Sequence, residues 1–232
     1  MRDGDGDVVE IADERDPLAG ATLALITRAI GDVQPVGDLL SELEERRRGL
    51  RSGGEPHLFA MVDDDGEPLA AVAGIYLETV NAGFVTYLAV HEEARGRLLG
   101  RTLRAHLVAA FQADARARGR ELAWTVGEVR RGSPWLRKLV NDGTAIPFDF
   151  SYFHPWQPRK AEGRYVLYRE PSADTRVELP SEEVLNLVYA IWRRSYRIRF
   201  PLQSETFSYM LEQVESRATI GPDASFAETA EV

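Results

Sequence analysis

The stretch from Phe84 to Gly119 narrows the fold more than any other part of the chain. It begins FVTYLAV, continues HEEARGRLLGR and ends TLRAHLVAAFQADARARG. In extended backbone Phe84, Thr86, Leu88 and Val90 face one side and Val85, Tyr87 and Ala89 the other, so neither side is strongly polar. A strand apolar on both faces belongs in the middle of a sheet covered by helices. The last block has helical spacing, with Leu99, Leu103, Leu107 and Phe111 on one stripe and Arg101, Arg104 and Gln112 off it. Gly119, after Arg116 and Arg118, is the expected stop.

The junction of strand and helix carries the chemistry. Arg95-Gly96-Arg97-Leu98-Leu99-Gly100-Arg101 falls where the helix begins. A helix start leaves backbone N–H groups without internal partners at the positive end of the dipole. Such an end binds anions before any side chain is counted. Gly96 and Gly100 allow a close backbone approach, and Arg95, Arg97 and Arg101 add cations to a chain of net charge −9. The simplest ligand for this loop is a diphosphate. The competing explanation is an ordinary turn with solvated arginines.

The remaining elements follow in order. Residues 1 to 6 read as frayed, and Val8 to Ala12 as a short strand. Asp16-Pro17 fits an N-cap with proline in the first turn of a helix that runs to Gly31. A charged helix covers Val36 to Leu50, and Ser52-Gly53-Gly54 reads as a break. His57 to Val62 and Pro68 to Leu77 form a hairpin about Asp65-Gly66. The aspartates at 63 to 65 read as a solvated turn and not as a metal site, since no glutamate follows at calcium-loop spacing. Asn81-Ala82-Gly83 turns into the central strand.

Beyond the helix, Glu121 to Val129 is a strand, Ser133 to Asn141 a short helix, and Ala145 to Phe153 and Tyr165 to Arg169 the last two strands, the first of them an edge or bulged strand because of Pro147. The loop from Pro155 to Pro158 reads as a packed turn around Trp156. Helices are expected from Ser181, with Val184, Val188, Ile191, Trp192 and Ser195 on one stripe, and over Ser204 to Val214. Arg193, Arg194, Arg197 and Arg199 read either as a second anion patch or, more plainly, as cations answering the helix C-terminus and nearby carboxylates. The tail ATIGPDASFAETAEV looks loose.

Composition removes several functions. The chain has 232 residues and no cysteine, which excludes disulfides, thiolate metal sites and a cysteine nucleophile and fits a reducing cytoplasm. The acidic start lacks the apolar run of a secretory signal, and no stretch approaches the ~20 apolar residues of a membrane span. Twenty-eight Lys and Arg against 37 Asp and Glu argue against general nucleic-acid binding and suit an amine substrate.

LAVHEEARGRLLGRTL resembles the acetyl-coenzyme A signature of the GNAT acetyltransferase superfamily: Arg or Gln, two residues, Gly, one residue, then Gly or Ala. Arg95 and Gly100 match the outer positions, while Leu98 stands where the middle glycine belongs. The resemblance implies an α/β (α+β) fold with a mostly antiparallel central sheet flanked by helices over residues 1–170, and a C-terminal helical extension over 171–232. It implies acetyl-CoA as co-substrate, held by Leu88, Ala89 and Val90 along the pantetheine and by residues 95–101 at the diphosphate, and no metal. The strand Glu121 to Val129 is expected to splay from the central one, the gap admitting the acyl chain.

The implied activity is transfer of an acetyl group to a primary amine of a small molecule or protein; the alternative is a non-catalytic acyl-CoA-binding or interaction module. Acyl transfer needs a base for the ammonium, and Glu128, near the end of its strand, is the expected one, with Glu78 second. The plainer role for Glu128 is pairing with Arg130 or Arg131. The family's usual tyrosine acid falls at Leu139, so Tyr152 is the substitute candidate, with His154 read as a turn residue. The two C-terminal helices are expected to pack on the body or on a partner subunit, which leaves a homodimer open.

Overall fold

The computed structural model describes residues 7–31, 33–50 and 53–226. The expected fraying of 1–6, Ser52 of the expected break, and the tail beyond 226 lie outside the described residues. The chain divides into two compact units, residues 1–78 with 85–120, and 79–84 with 121–232. The fold is mixed α/β with a seven-stranded, mostly antiparallel sheet and flanking helices, as expected.

In the first unit the strands lie in the order β1 (Val8–Glu10), β2 (Gly54–Val62), β3 (Pro68–Leu77), β4 (Ala82–Val90), the last entering from the second unit. β2 and β3 pair antiparallel from Gly54 opposite Leu77 to Met61 opposite Ala70. The hairpin tip is held by Asp63, whose Oδ1 accepts from the amides of Asp65 (3.0 Å) and Glu67 (2.8 Å), with Gly66 at φ +83°. Asp63 thus serves the turn. Alternation sends His57 and Phe59 toward α3 (Leu99–Ala117), where their rings meet Phe111 and His106. Leu58 faces the other way, in a small space shared with Leu23 of α1 (Pro17–Ile30) and Leu39 and Leu43 of α2 (Val36–Arg47).

Helix ends follow local chemistry. Asp16 Oδ1 accepts from Leu18 N at 2.9 Å, the N-cap the sequence implies. At the far end of α3, Gly119 takes φ +70°, its amide bonds Arg116 O, and the amide of Arg120 bonds Ala115 O. This pair of bonds is the Schellman arrangement that stops a helix at glycine.

Some boundaries differ. β2 starts at Gly54, not His57: a Cβ there would fall 2.7 Å from Ile75 Cδ1, so this glycine is a close-packed strand position and not a break. α2 ends at Arg47 before Gly49, which has φ +66°. β1 stops at Glu10.

In the second unit β5 (Trp124–Arg130), β7 (Tyr165–Pro171) and β6 (Ile146–Pro147) lie in that order, both pairings antiparallel. The strand expected over Ala145 to Phe153 is only two residues long. Pro147 has no N–H to continue the ladder, and Phe148, Phe150, Tyr152 and Phe153 turn into the core instead. α4 (Pro134–Asn141) covers this part of the sheet, with Leu136, Ala145, Val166 and Tyr168 at its buried centre. The stripe on α5 (Ser181–Ala190) is buried as its spacing requires, and Trp192 packs on Phe207 of α6 (Glu205–Glu215), ring centroids 4.9 Å apart.

The tail is not loose as far as residue 226. β8 (Leu179–Pro180) pairs with β9 (Thr219–Ile220). Asp223 N bonds Pro147 O at 2.9 Å, and Arg131 Nη1 donates to Asp223 Oδ2 at 2.8 Å.

Candidate active site

The first unit holds the glycine-bearing loop that leads into α3. After β4 the chain makes one short turn at Glu92–Ala94, and Arg95 is extended. Gly96 then takes φ +86° and Leu98 φ +62° before α3 begins. Among the described residues, the amides of Gly96, Arg97, Leu98, Leu99 and Gly100 have no hydrogen-bond partner; the first bonded ones are Arg101 and Thr102, both to Leu98 O. Alternating left-handed positions turn successive amides toward one point, a concave set of donors at the positive end of the helix. Gly100 sits over β4: a Cβ there would lie 3.5 Å from both Leu88 Cδ2 and Val90 Cγ2. Leu88, Val90 and Gly100 are therefore brought together, and Ala89 between them is buried. Arg97 and Arg101 are exposed, and Arg95, 64% exposed at its side chain, reaches Glu92 only at 4.0 Å.

Leu98 explains its own departure from the signature. Its backbone holds the left-handed conformation that favours glycine, and the residue is 69% exposed, so it does not fill the loop's concave side. The loop keeps the glycine geometry at a cost of about 1 kcal/mol or somewhat more. Leu98→Gly removes that strain and little burial, offset in part by the greater freedom of glycine in the unfolded chain. We expect a melting temperature raised by about 1–3 °C, a net gain below 1 kcal/mol in a chain of this size. A lowered melting temperature would show that the leucine is structural.

The second unit supplies a buried carboxylate. Glu128 on β5 has a side chain 6% exposed. It does not take its partner from Arg131, which is bound to Asp223. Tyr196 Oη donates to Glu128 Oε1 at 2.7 Å, and His154 Nε2 lies 3.6 Å from the same oxygen, beyond a hydrogen bond. Glu128 Oε2 and His154 Nδ1 are both buried with no hydrogen-bond partner among the described residues. Aromatic rings close the surroundings: His154 lies 4.8 Å from Tyr196, 5.1 Å from Trp156 and 5.9 Å from Tyr165, and Phe84 lies 5.9 Å from Tyr196. A buried acceptor with an open oxygen among aromatic faces suits a donor cation such as an ammonium.

Other expected residues are placed elsewhere. Tyr152 is fully buried against Phe150 and bridges Tyr165 through its backbone; the hydroxyl that reaches Glu128 belongs to Tyr196. Glu78 is engaged by Arg118, Nε to Oε2 at 3.2 Å. Leu139 packs half-buried on the α4 cluster. His154 is a turn residue, its carbonyl accepting from Gln157 N at 2.9 Å, and its ring lies beside Glu128. Tyr196 was not foreseen. Its signal was a tyrosine directly after the buried stripe of α5, where a buried hydroxyl needs a partner.

Fold and loop define a class: a mixed α/β domain with a glycine-bearing strand-to-helix turn, the build of the GNAT acetyltransferases. Residues 27–132, which hold both the loop and Glu128, match the Acetyltransferase (GNAT) family model. A GNAT-family protein from Bacteroides thetaiotaomicron superimposes with a TM-score of 0.57 at 13% identity, covering 83% of this chain and 99% of that one. Another from Desulfovibrio desulfuricans gives 0.50 at 15%, covering 71% and 99%. At these identities the likeness speaks for the fold alone. No curated protein matches the sequence. No helix among the described residues is long and apolar enough to cross a membrane.

Proposed function

We propose that the chain is an acetyl-CoA-dependent N-acetyltransferase acting on a primary amine of a small molecule or a protein, with residues 171–232 as an extension that completes its proton-handling group. The observation that carries this is the run of five unpartnered amides from Gly96 to Gly100, a cradle built for a diphosphate. Bound acetyl-CoA supplies the activated thioester. The amides of 96–100 hold its diphosphate, Arg95, Arg97 and Arg101 neutralise it, and Leu88 to Val90 offer backbone groups to the pantetheine.

Glu128 takes a proton from the acceptor ammonium through Oε2, which exposes the amine lone pair for attack. Tyr196 acts through Glu128: its hydroxyl fixes Oε1 and so aims Oε2, which makes it a positioning residue. The amine's second proton offsets the charge of the departing thiolate.

A non-catalytic acyl-CoA binder is the second reading, favoured by Leu139, which packs apolar where the family's acid stands. Two measurements separate the readings. Replacing Arg95 and Arg97 by Ala should weaken binding of coenzyme A about tenfold or more, since each charge-assisted contact is worth about 1.5–3 kcal/mol before solvent screening; equal binding overturns the diphosphate assignment. Release of free thiol with a panel of amines then identifies a catalyst, and its absence with binding intact identifies the binder.

A further inference from the structure

The second unit carries a second cleft, about 760 Å³ in volume, that the acyl-transfer residues do not use. Its floor is Trp124, the first residue of β5, and the turn Thr79 to Asn81. One wall is the outward face of α5, with Glu183, Asn186, Tyr189 and Ala190, continued by Arg193 and Arg194. Trp124 is four residues along β5 from Glu128, roughly 13 Å at the rise of a strand.

The charge balance of this cleft is one-sided. Its carboxylate, Glu183, is already held by both terminal nitrogens of Arg176, at 3.0 and 2.7 Å. Arg193 and Arg194 are half-buried and form no ion pair among the described residues. Both stand in the last turn of their helix, as the plainer reading has it, but no carboxylate among the described residues pairs with them. Behind the floor lies a third cation: Arg169 is fully buried, its guanidinium over the Trp124 ring at 5.9 Å. Trp124 is 4% exposed, and its indole N–H is buried with no partner among the described residues. The cleft thus offers donors and positive charge with its one acid neutralised.

The backbone explains how two consecutive arginines reach one cleft. Past Ala190 the α-helix widens into a π turn over Ile191–Ser195, closed by Tyr196 N to Ile191 O at 3.1 Å. A wider turn brings neighbouring side chains closer in direction. Such turns are rare and gather at functional positions. The same turn delivers Tyr196 to Glu128.

We infer that this cleft binds a small organic dianion, a phosphate monoester or a dicarboxylate, clamped by Arg193 and Arg194. Two guanidinium forks match the oxygens of one such group, and the volume is that of a small-molecule site.

The test is calorimetric titration with phenyl phosphate and, separately, with succinate, in a background carrying Arg95→Ala and Arg97→Ala so that the loop before α3 cannot account for uptake. The expected result is saturable binding of one or both probes, weakened about tenfold or more by Arg193→Gln with Arg194→Gln. Binding of phenyl phosphate alone assigns the phosphate class, and of succinate alone the dicarboxylate class. Should the double variant fail to fold, Asn186→Asp on the exposed wall should weaken binding by charge repulsion. No saturable binding, or binding that these substitutions leave unchanged, overturns the inference. Neither outcome depends on acetyl transfer.

Discussion

Glu128→Gln is expected to lower acetyl transfer about a hundredfold or more while leaving the fold and coenzyme A binding intact. The glutamine amide oxygen can still accept the Tyr196 hydroxyl that now reaches Glu128 Oε1 at 2.7 Å, so packing around the site survives. What is lost is the buried oxygen that takes the proton, and proton transfer by a positioned side chain contributes about 10²–10⁴ in rate. Tyr196→Phe should lower kcat without moving KM for acetyl-CoA, because it frees the carboxylate to rotate and leaves the first unit's cradle untouched. A Glu128→Gln enzyme with full activity on a responsive amine would remove Glu128 from the mechanism, and the non-catalytic reading would then have to explain the buried carboxylate.

His57→Gln is expected to lower stability by about 2–3 kcal/mol near pH 6 and to flatten its dependence on pH above that. His57 is nearly buried on β2, with Nδ1 2.9 Å from Glu10 Oε1 and Nε2 2.7 Å from Asp114 Oδ2, so it joins β1 and β2 to α3. Burial pushes its pKa down, but hydrogen bonds to Asp114 and Glu10 outweigh that and leave it raised above 6.5. The hydrogen bond from His57 and, against the effect of burial, the pairing with Arg46 hold Glu10 at about 2.

The signs follow from linkage. The raised His57 value contributes stability that is complete below pH ~6.5 and is lost as pH rises through the folded-state value. The lowered Glu10 value contributes above pH ~4.5 and is lost as pH falls toward 2. Urea unfolding of the native chain should thus show a maximum between these limits and a decline toward pH 9. Equal slopes for native and His57→Gln proteins over pH 6–9 would show that His57 enters folding uncharged.

Much of the first unit was legible in the chain. Apolar alternation, the Asp16-Pro17 cap and the Asp65-Gly66 turn are local signals, and local backbone chemistry decided those elements. The loop before α3 was legible for the same reason: Gly96 marks a left-handed turn at a helix start. Where local rules misled, a distant partner intervened. Gly54 reads as punctuation but is a strand residue pressed on Ile75. Ala145 to Phe153 reads as strand but gives up the ladder at Pro147 to bury its aromatic rings.

By itself the sequence determined the glycine-bearing bend after Val90 and the family model that residues 27–132 match, because each depends on residues close together along the chain. Only tertiary structure decided that Leu98 keeps a glycine's backbone, that Tyr196 rather than Tyr152 meets Glu128, and that Arg193 and Arg194 face a cleft without a carboxylate to neutralise them. Sixty-eight residues separate Tyr196 from Glu128. A hydrogen bond across that span is set by how helices and strands pack, and no spacing along the chain encodes it.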